Sequence, residues 1–257
     1  MKDSITSPKP PRLWEKALAI ALWLLCWYLA SKAIKQEMLL ASPVSVAKTL
    51  LGLMSTGSFW SSVAFSLSRV VAGFGLAFAA GILLAVGAYR SRAMAVFLRP
   101  FMGIINAAPM ASYIILCLLF LSSRSLSICI SFLMALPIMY SNVLTGLQST
   151  DQKLLEMASA FGVPPLRQMV YIYFSQLMPF LVSACSLSLG VCWKSGISAE
   201  VIGLPLGSIG EQLYQAKIFV DAKTVLAWTV MVIAISFLLE RTFLALLQKL
   251  ASSLERM

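Results

Sequence analysis

Charged residues are missing from long runs of this chain, and the runs recur. Val70–Tyr89, Pro100–Ser123, Ser125–Thr150 and Gln168–Trp193 contain no Asp, Glu, Lys or Arg. Each reaches the roughly 20 residues that a helix rising about 1.5 Å per residue needs to cross a hydrocarbon core. Ala17–Ser31 and Thr224–Leu239 are shorter, and they span if Lys16, Lys32, Glu240 and Arg241 extend toward the headgroups. Thr49–Ser68 is uncharged too, but Ser55-Thr56-Gly57-Ser58 and Ser61-Ser62 interrupt it, which places it outside the membrane. The pattern predicts an all-α, polytopic membrane protein with about six transmembrane helices and one domain over residues 1–257. Residues 1–16 form an N-terminal tail and 248–257 a C-terminal tail.

Shorter signals fill in the connections. Ser42-Pro43 is a helix opening, a cap residue followed by Pro at the first helical position. Val46, Leu50, Leu53 and Met54 then recur at helical spacing, which predicts an amphipathic helix lying in the interface. Small residues recur every four positions at Gly73, Ala77, Gly81 and Ala85, and again at Ala184, Ser188, Cys192 and Gly196. Such ridges let helices approach closely in lipid; packing within one subunit is the favoured reading, a dimer seam or pathway lining the other. Gly196–Gln215 mixes glycines and Pro205 with Ile197, Val201, Ile202, Leu204 and Ile209. That composition fits either a re-entrant, gate-like loop or an ordinary outer loop. Glu200 within it, Lys194 just before it and Arg69 are candidate pathway or gate residues, because charge near the membrane is costly without a use. Snorkelling explains Arg69 equally well.

Composition sharpens the picture. Hydrophobic residues make up 60% of the chain and charged ones 12%, about half the usual soluble share of roughly 25%. A net charge of +10 would suggest nucleic acid in a soluble protein. Here the basic residues flank apolar runs, so lipid anchoring is the better reading and no nucleic-acid partner is expected. With the N-terminus in the cytoplasm, the cytoplasmic segments hold Lys2, Lys9, Arg12 and Lys16; Arg90, Arg92 and Arg99 in one loop; Lys153 and Arg167; and Arg241, Lys249 and Arg256. That is the larger share of the 20 Lys and Arg, as the positive-inside rule requires. The basic N-terminus looks like the start of a signal peptide, but no small-x-small cleavage site follows Trp27-Tyr28-Leu29, so a retained first helix is expected. There is no His, which removes the commonest general base and metal ligand. Cys26, Cys117, Cys129, Cys185 and Cys192 all sit in apolar stretches and read as small hydrophobes. No metal site and no catalytic residue are expected.

The strongest local signal follows the fourth apolar run, in a loop over residues 148–172. Ser149 and Gln152 fit a capping box, Leu154, Ala158 and Phe161 share a face with Leu155 beside it, and Gly162 suits the left-handed position that ends helices. Pro164 prevents continuation. A short amphipathic helix with little protein of its own to bury its apolar face asks for a partner.

On these residues the chain resembles the permease subunits of binding-protein-dependent ABC importers. That family carries a cytoplasmic motif of Glu-Ala-Ala, three residues, Gly, nine residues, Ile, one residue, Leu-Pro. Here Glu156-Met157-Ala158, Gly162 and Ile172 hold the spacing, while Met157 replaces an Ala and Phe174-Ser175 replaces Leu-Pro. Ser66-Leu67-Ser68-Arg69-Val70-Val71-Ala72-Gly73-Phe74 and Ala199-Glu200-Val201-Ile202-Gly203 look like the nitrate, sulfonate and taurine branch. The resemblance implies a type I permease fold in the bacterial inner membrane, with both termini cytoplasmic and a second permease copy as partner. Two cytosolic ATPases would dock on Leu154, Leu155, Glu156, Ala158, Phe161 and Gly162 and would bind the ATP and Mg2+; this chain has no Gly-x4-Gly-Lys-Ser/Thr loop and no cofactor of its own. An external solute-binding protein would deliver a small solute, an oxyanion, sulfonate or vitamin precursor. The rivals are a secondary transporter or channel working without ATP, for which Glu240 is the weak acidic candidate, and a membrane-embedded enzyme.

Overall fold

The computed structural model describes residues 12–34 and 39–255. Among them every regular element is helical. Helix α1 (Leu13–Ile34) lies along the outside and touches only α2 (Pro43–Met54) closely. Its flank is apolar and bare: Trp23 is 77% exposed. Helix α2 opens as expected, with the Ser42 hydroxyl accepting from Ser45 N at 3.2 Å and Pro43 at the first position.

Helix α3 (Gly57–Arg90) corrects one expectation. It begins at Gly57, so Ser58, Ser61, Ser62, Ser66 and Ser68 lie inside it and not in an interrupted segment before it. Serines survive in this helix because their hydroxyls bond locally, Ser61 Oγ to Ser58 O at 2.8 Å and Ser68 Oγ to Phe65 O at 2.8 Å.

The third apolar run is also not one straight helix. It divides into α4 (Arg92–Ala107) and α5 (Met110–Leu118), bent 99° from one another. Pro109 is the cause: it drives Ala108 into extended backbone (φ −79°, ψ 142°), which ends α4. Arg99 therefore stands within α4, roughly 10 Å along it, and not in a loop with Arg90 and Arg92.

Helix α6 (Ser123–Gln148) is the centre of the bundle, packed between α3 on one side and α9 (Phe174–Gly203) on the other. Both small-residue ridges serve these contacts. A Cβ on Gly73 would lie 2.6 Å from Ile128 O, and one on Gly81 2.6 Å from Met139 Cβ. On the α9 side, Ser131 Oγ donates to Cys192 O at 3.1 Å and Cys192 Sγ to Ser131 O at 3.2 Å. Close backbone approach and interhelical hydrogen bonds replace the hydrophobic drive that lipid cannot give.

Helices α7 (Gln152–Ala160) and α8 (Pro165–Gln168), then a π-helical turn (Met169–Tyr173), connect α6 to α9 at one end of the bundle. At the opposite end α9 runs on to Gly203, and α10 (Ile209–Ile218) leads to α11 (Ala222–Glu255). The stretch 196–215 is thus almost wholly helical, and only Leu204–Ser208 is irregular. Gly196 serves close packing against Val70 and Ser131 and does not break the helix. Helix α11 continues unbroken through 248–255, part of the expected tail. Five helices are long and apolar enough to cross a membrane, six if α4 and α5 together make one bent span.

Candidate functional site

Helix α7 is built from its ends. Asp151, not Ser149, is its cap: the Asp151 carboxylate accepts from Lys153 N at 2.9 Å, while Ser149 Oγ turns back to Gly146 O. The expected capping box with Gln152 does not form, because the Asp151 side chain, one residue before the helix, fills that role. At the other end, Val163 N donates to Ala158 O at 2.9 Å and Gly162 N to Ser159 O at 3.1 Å, with Gly162 at φ +64°. This pair of bonds is the Schellman closure, and its left-handed position is the one that glycine fills without strain.

The start of α7 is tied to the bundle, where Asp151 N donates to Gln176 Oε1 of α9 at 2.9 Å, and its end is tied to α8, where Gln168 Nε2 donates to Val163 O at 2.9 Å. Ile172 falls in the π-helical turn that starts the α9 span. The Asp151–Gln176 bond thus links the start of α7 to the base of α9.

The side chains divide cleanly. Ala158 is buried and Leu155 half-buried, so these two face inward. Leu154, Met157 and Phe161 face outward, Phe161 at 81% exposure, and Glu156 is exposed beside them. The expected face of Leu154, Ala158 and Phe161 is thus split, Ala158 turning inward. Met157, a departure from the motif, was missed; it joins the outward apolar face as residue i+3 from Leu154, a spacing that was readable.

At the opposite end, Arg69, Lys194 and Glu200 do not form one cluster. Glu200 lies in α9, 1% exposed. Its Oε2 accepts from Ser66 Oγ of α3 at 2.6 Å and from Gly210 N of α10 at 3.4 Å. Ser66 Oγ in turn accepts from Ile209 N at 3.0 Å. Carboxylate and hydroxyl together satisfy free amides at the start of α10, where the helix dipole favours negative charge. Glu200 Oε1 has no hydrogen-bond partner among the described residues. Ser66 is the second member of this knot, and Ser208-Ile209-Gly210-Glu211 was its sequence signal: Glu211 N donates to Ser208 Oγ at 3.0 Å. Arg69 stacks 3.5 Å over the Phe65 ring and donates from Nε to Arg124 O at 2.7 Å, joining α3 to α6. Lys194 is exposed and stands apart, beside Ile197, Ser198 and Thr229. Glu240 lies well inside α11, accepting a hydrogen bond from Ser186 of α9.

A helical bundle of membrane-spanning length, with a short amphipathic helix braced at one end, defines a polytopic permease. The chain belongs to the family described as binding-protein-dependent transport system inner membrane component, whose profile matches residues 77–252. It is 24% identical over 234 residues to a putative aliphatic sulfonates transport permease protein of Bacillus subtilis (strain 168), covering 91% of this chain and 83% of that one. It is 23% identical over 240 residues to the taurine transport system permease protein of Escherichia coli (strain K12), covering 91% and 86%. The nitrate import permease protein of Synechocystis (strain PCC 6803) is 22% identical over 219 residues, covering 81% and 78%. The fold matches a chain of an amino acid ABC transporter crystallised with histidines (TM-score 0.58, 18% identity, 80% of this chain and 97% of that one). It also matches a chain of the inward-facing MetNI methionine ABC transporter (TM-score 0.56, 17% identity, 76% and 93%). The chain is an inner-membrane, multi-pass permease of an ABC importer, of the nitrate, sulfonate and taurine branch.

Proposed function

We propose that this permease, acting as one unit over its whole length, carries a small sulfonate or related oxyanion inward. Two copies of the chain form the pathway, and two cytosolic ATPases drive it. The observation that carries the coupling role is the outward face of Leu154, Met157 and Phe161 on a helix whose start is fastened to α9. The ATPase grips that face and Glu156, with Ala158 and Leu155 facing inward and Gly162 aiming the helix. Closure of the ATPase pair on ATP moves α7, and the link from Asp151 to Gln176 passes the motion to α9. The end bearing α7 and both termini then lies in the cytoplasm, and the end bearing Leu204–Ser208 faces the solute-binding protein. Glu200, with Arg69 nearby, acts at the outer gate by fastening α10 to α3 and α9; Lys194 lines the approach.

The sulfonate reading follows the named cargo of the relatives. Proteoliposomes holding the permease, its ATPase and the loaded binding protein test it. ATP should drive sulfonate uptake, and a protonophore should leave the rate unchanged. Uptake that persists without ATP and collapses with the protonophore contradicts the reading in favour of a secondary transporter.

A further inference from the structure

Helix α4 carries its polar residues on one stripe. Ala95, Arg99, Gly103 and Asn106 recur at i, i+4, i+8 and i+11, whereas Phe97, Phe101 and Ile104, exposed by 75, 49 and 63%, occupy the other side. The stripe faces Tyr140, Ser141 and Gln148 of α6 across a cleft of ≈ 510 Å³. Ala95 and Gly103 are small, which leaves the room. No Asp or Glu lines this cleft, and its one charge is the Arg99 guanidinium. Among the described residues, the side chains of Arg99, Asn106, Tyr140 and Gln148 make no hydrogen bond or ion pair. By contrast, the groove between α3 and α11 is lined by Leu67, Val71, Ile235, Leu238 and Phe243, as a lipid-facing groove should be.

With α4 and α5 read as one bent span, Arg99 stands roughly 10 Å along it, and an arginine there is costly unless it serves a purpose or reaches the headgroups. Arg99 is on the cleft face, away from the apolar flank that meets lipid. It stands there with neutral donors and without a counter-charge. From this we propose that the α4–α6 cleft is an anion subsite: Arg99 takes the oxyanion group of a passing sulfonate or carboxylate in its fork of N–H donors. The Tyr140 hydroxyl and the Asn106 and Gln148 amides line the same cleft and offer further neutral donors along it. A single cation holds the anion weakly enough for it to leave, which a pathway site must allow. The proposal rests on the permease reading for its place on the translocation route, but the binding itself does not.

The test uses the permease–ATPase complex in nanodiscs of zwitterionic lipid, with trifluoromethanesulfonate as the probe and its 19F linewidth as the readout. Wild type and an Arg241→Gln control on α11 should broaden the line in a saturable way. Arg99→Gln should weaken binding about tenfold or more, the effect of losing a charge-assisted hydrogen bond. Arg99→Lys should keep part of the affinity, Tyr140→Phe should lose less than Arg99→Gln, and neutral trifluoroethanol should not compete. Co-elution of the ATPase with each variant shows that the complex is intact; should Arg99→Gln fail to assemble, Arg99→Lys and Tyr140→Phe decide. Equal binding by wild type and the Arg99 variants, or no saturable binding at all, overturns the subsite. Binding that depends on Arg99 in a complex without ATP-driven anion uptake refutes the importer reading and leaves the subsite standing. Uptake with binding indifferent to Arg99 does the reverse.

Discussion

Gly162 shows how much a single backbone angle decides in this molecule. At φ +64° it closes α7, and a Cβ placed there meets nothing within 4 Å. The cost of Gly162→Val is therefore the backbone alone, about 1–2 kcal/mol, and it acts by unwinding the turn that aims α7. Gly162→Asn, which tolerates the left-handed region, should keep ATPase co-purification and transport, while Gly162→Val should lose transport without losing insertion. Equal transport by the two variants would show that the turn is only a connector. Glu200 makes a different kind of point. It was recognisable in the sequence as a charge that needed a reason, but its partners Ser66 and Gly210 come from distant or differently read segments. Glu200→Ala leaves those donors without an acceptor in a buried place, a loss of about 1–3 kcal/mol. Thermal unfolding of the purified subunit should fall for Glu200→Ala and stay near wild type for Glu200→Gln, which keeps an oxygen acceptor. If Gln is as damaging as Ala, charge and not hydrogen bonding holds the knot.

Among the elements, α2, α6 and the α7 turn were legible because each carries its own local cause: Pro43 after a cap, a long uncharged run, a glycine at a helix end. The start of α3 was not, since serines that bond back to their own helix look in sequence like a polar loop. The end of α9 failed for the opposite reason, its Gly196 being a packing residue and not a breaker. The bend at Ala108-Pro109 was present in the sequence but lies inside a long apolar run, and Pro137 and Pro179 sit inside helices without such a break. The small-residue ridges gave their spacing but not their partner, because period four marks a face without saying what meets it. The structure supplies the contrast that tests it. Gly81 sits against Met139, while Gly75 on the same helix faces open space. Gly81→Leu should overpack the α3–α6 contact and cost about 1–3 kcal/mol, seen as a lower melting point in detergent. Gly75→Leu should leave melting unchanged, and a matched fall for both would mean that α3 is sensitive at every position.

For the whole molecule, the family and the helical membrane fold were readable from a motif and a count of apolar runs, whereas orientation rests on charge bias and the position of α7. Single cysteines at Ser91 and Ser159, in a chain lacking its five native cysteines, should react with an impermeant thiol reagent only after cells are opened, and one at Ser58 should react from outside. Labelling of Ser159 in intact cells would invert the arrangement. The central claim is that the ATPase grips the outward face of α7. Phe161 and Phe120 are each 81% exposed, one just after α7 and the other just beyond α5 at the opposite end of the bundle. Replacing each in turn by a photoreactive benzoylphenylalanine in membranes holding the assembled importer gives the most direct measurement. Irradiation should join the ATPase to the chain labelled at position 161 and not to the chain labelled at position 120. An ATPase adduct from position 120, or none from 161 in a complex that still transports, would contradict the account.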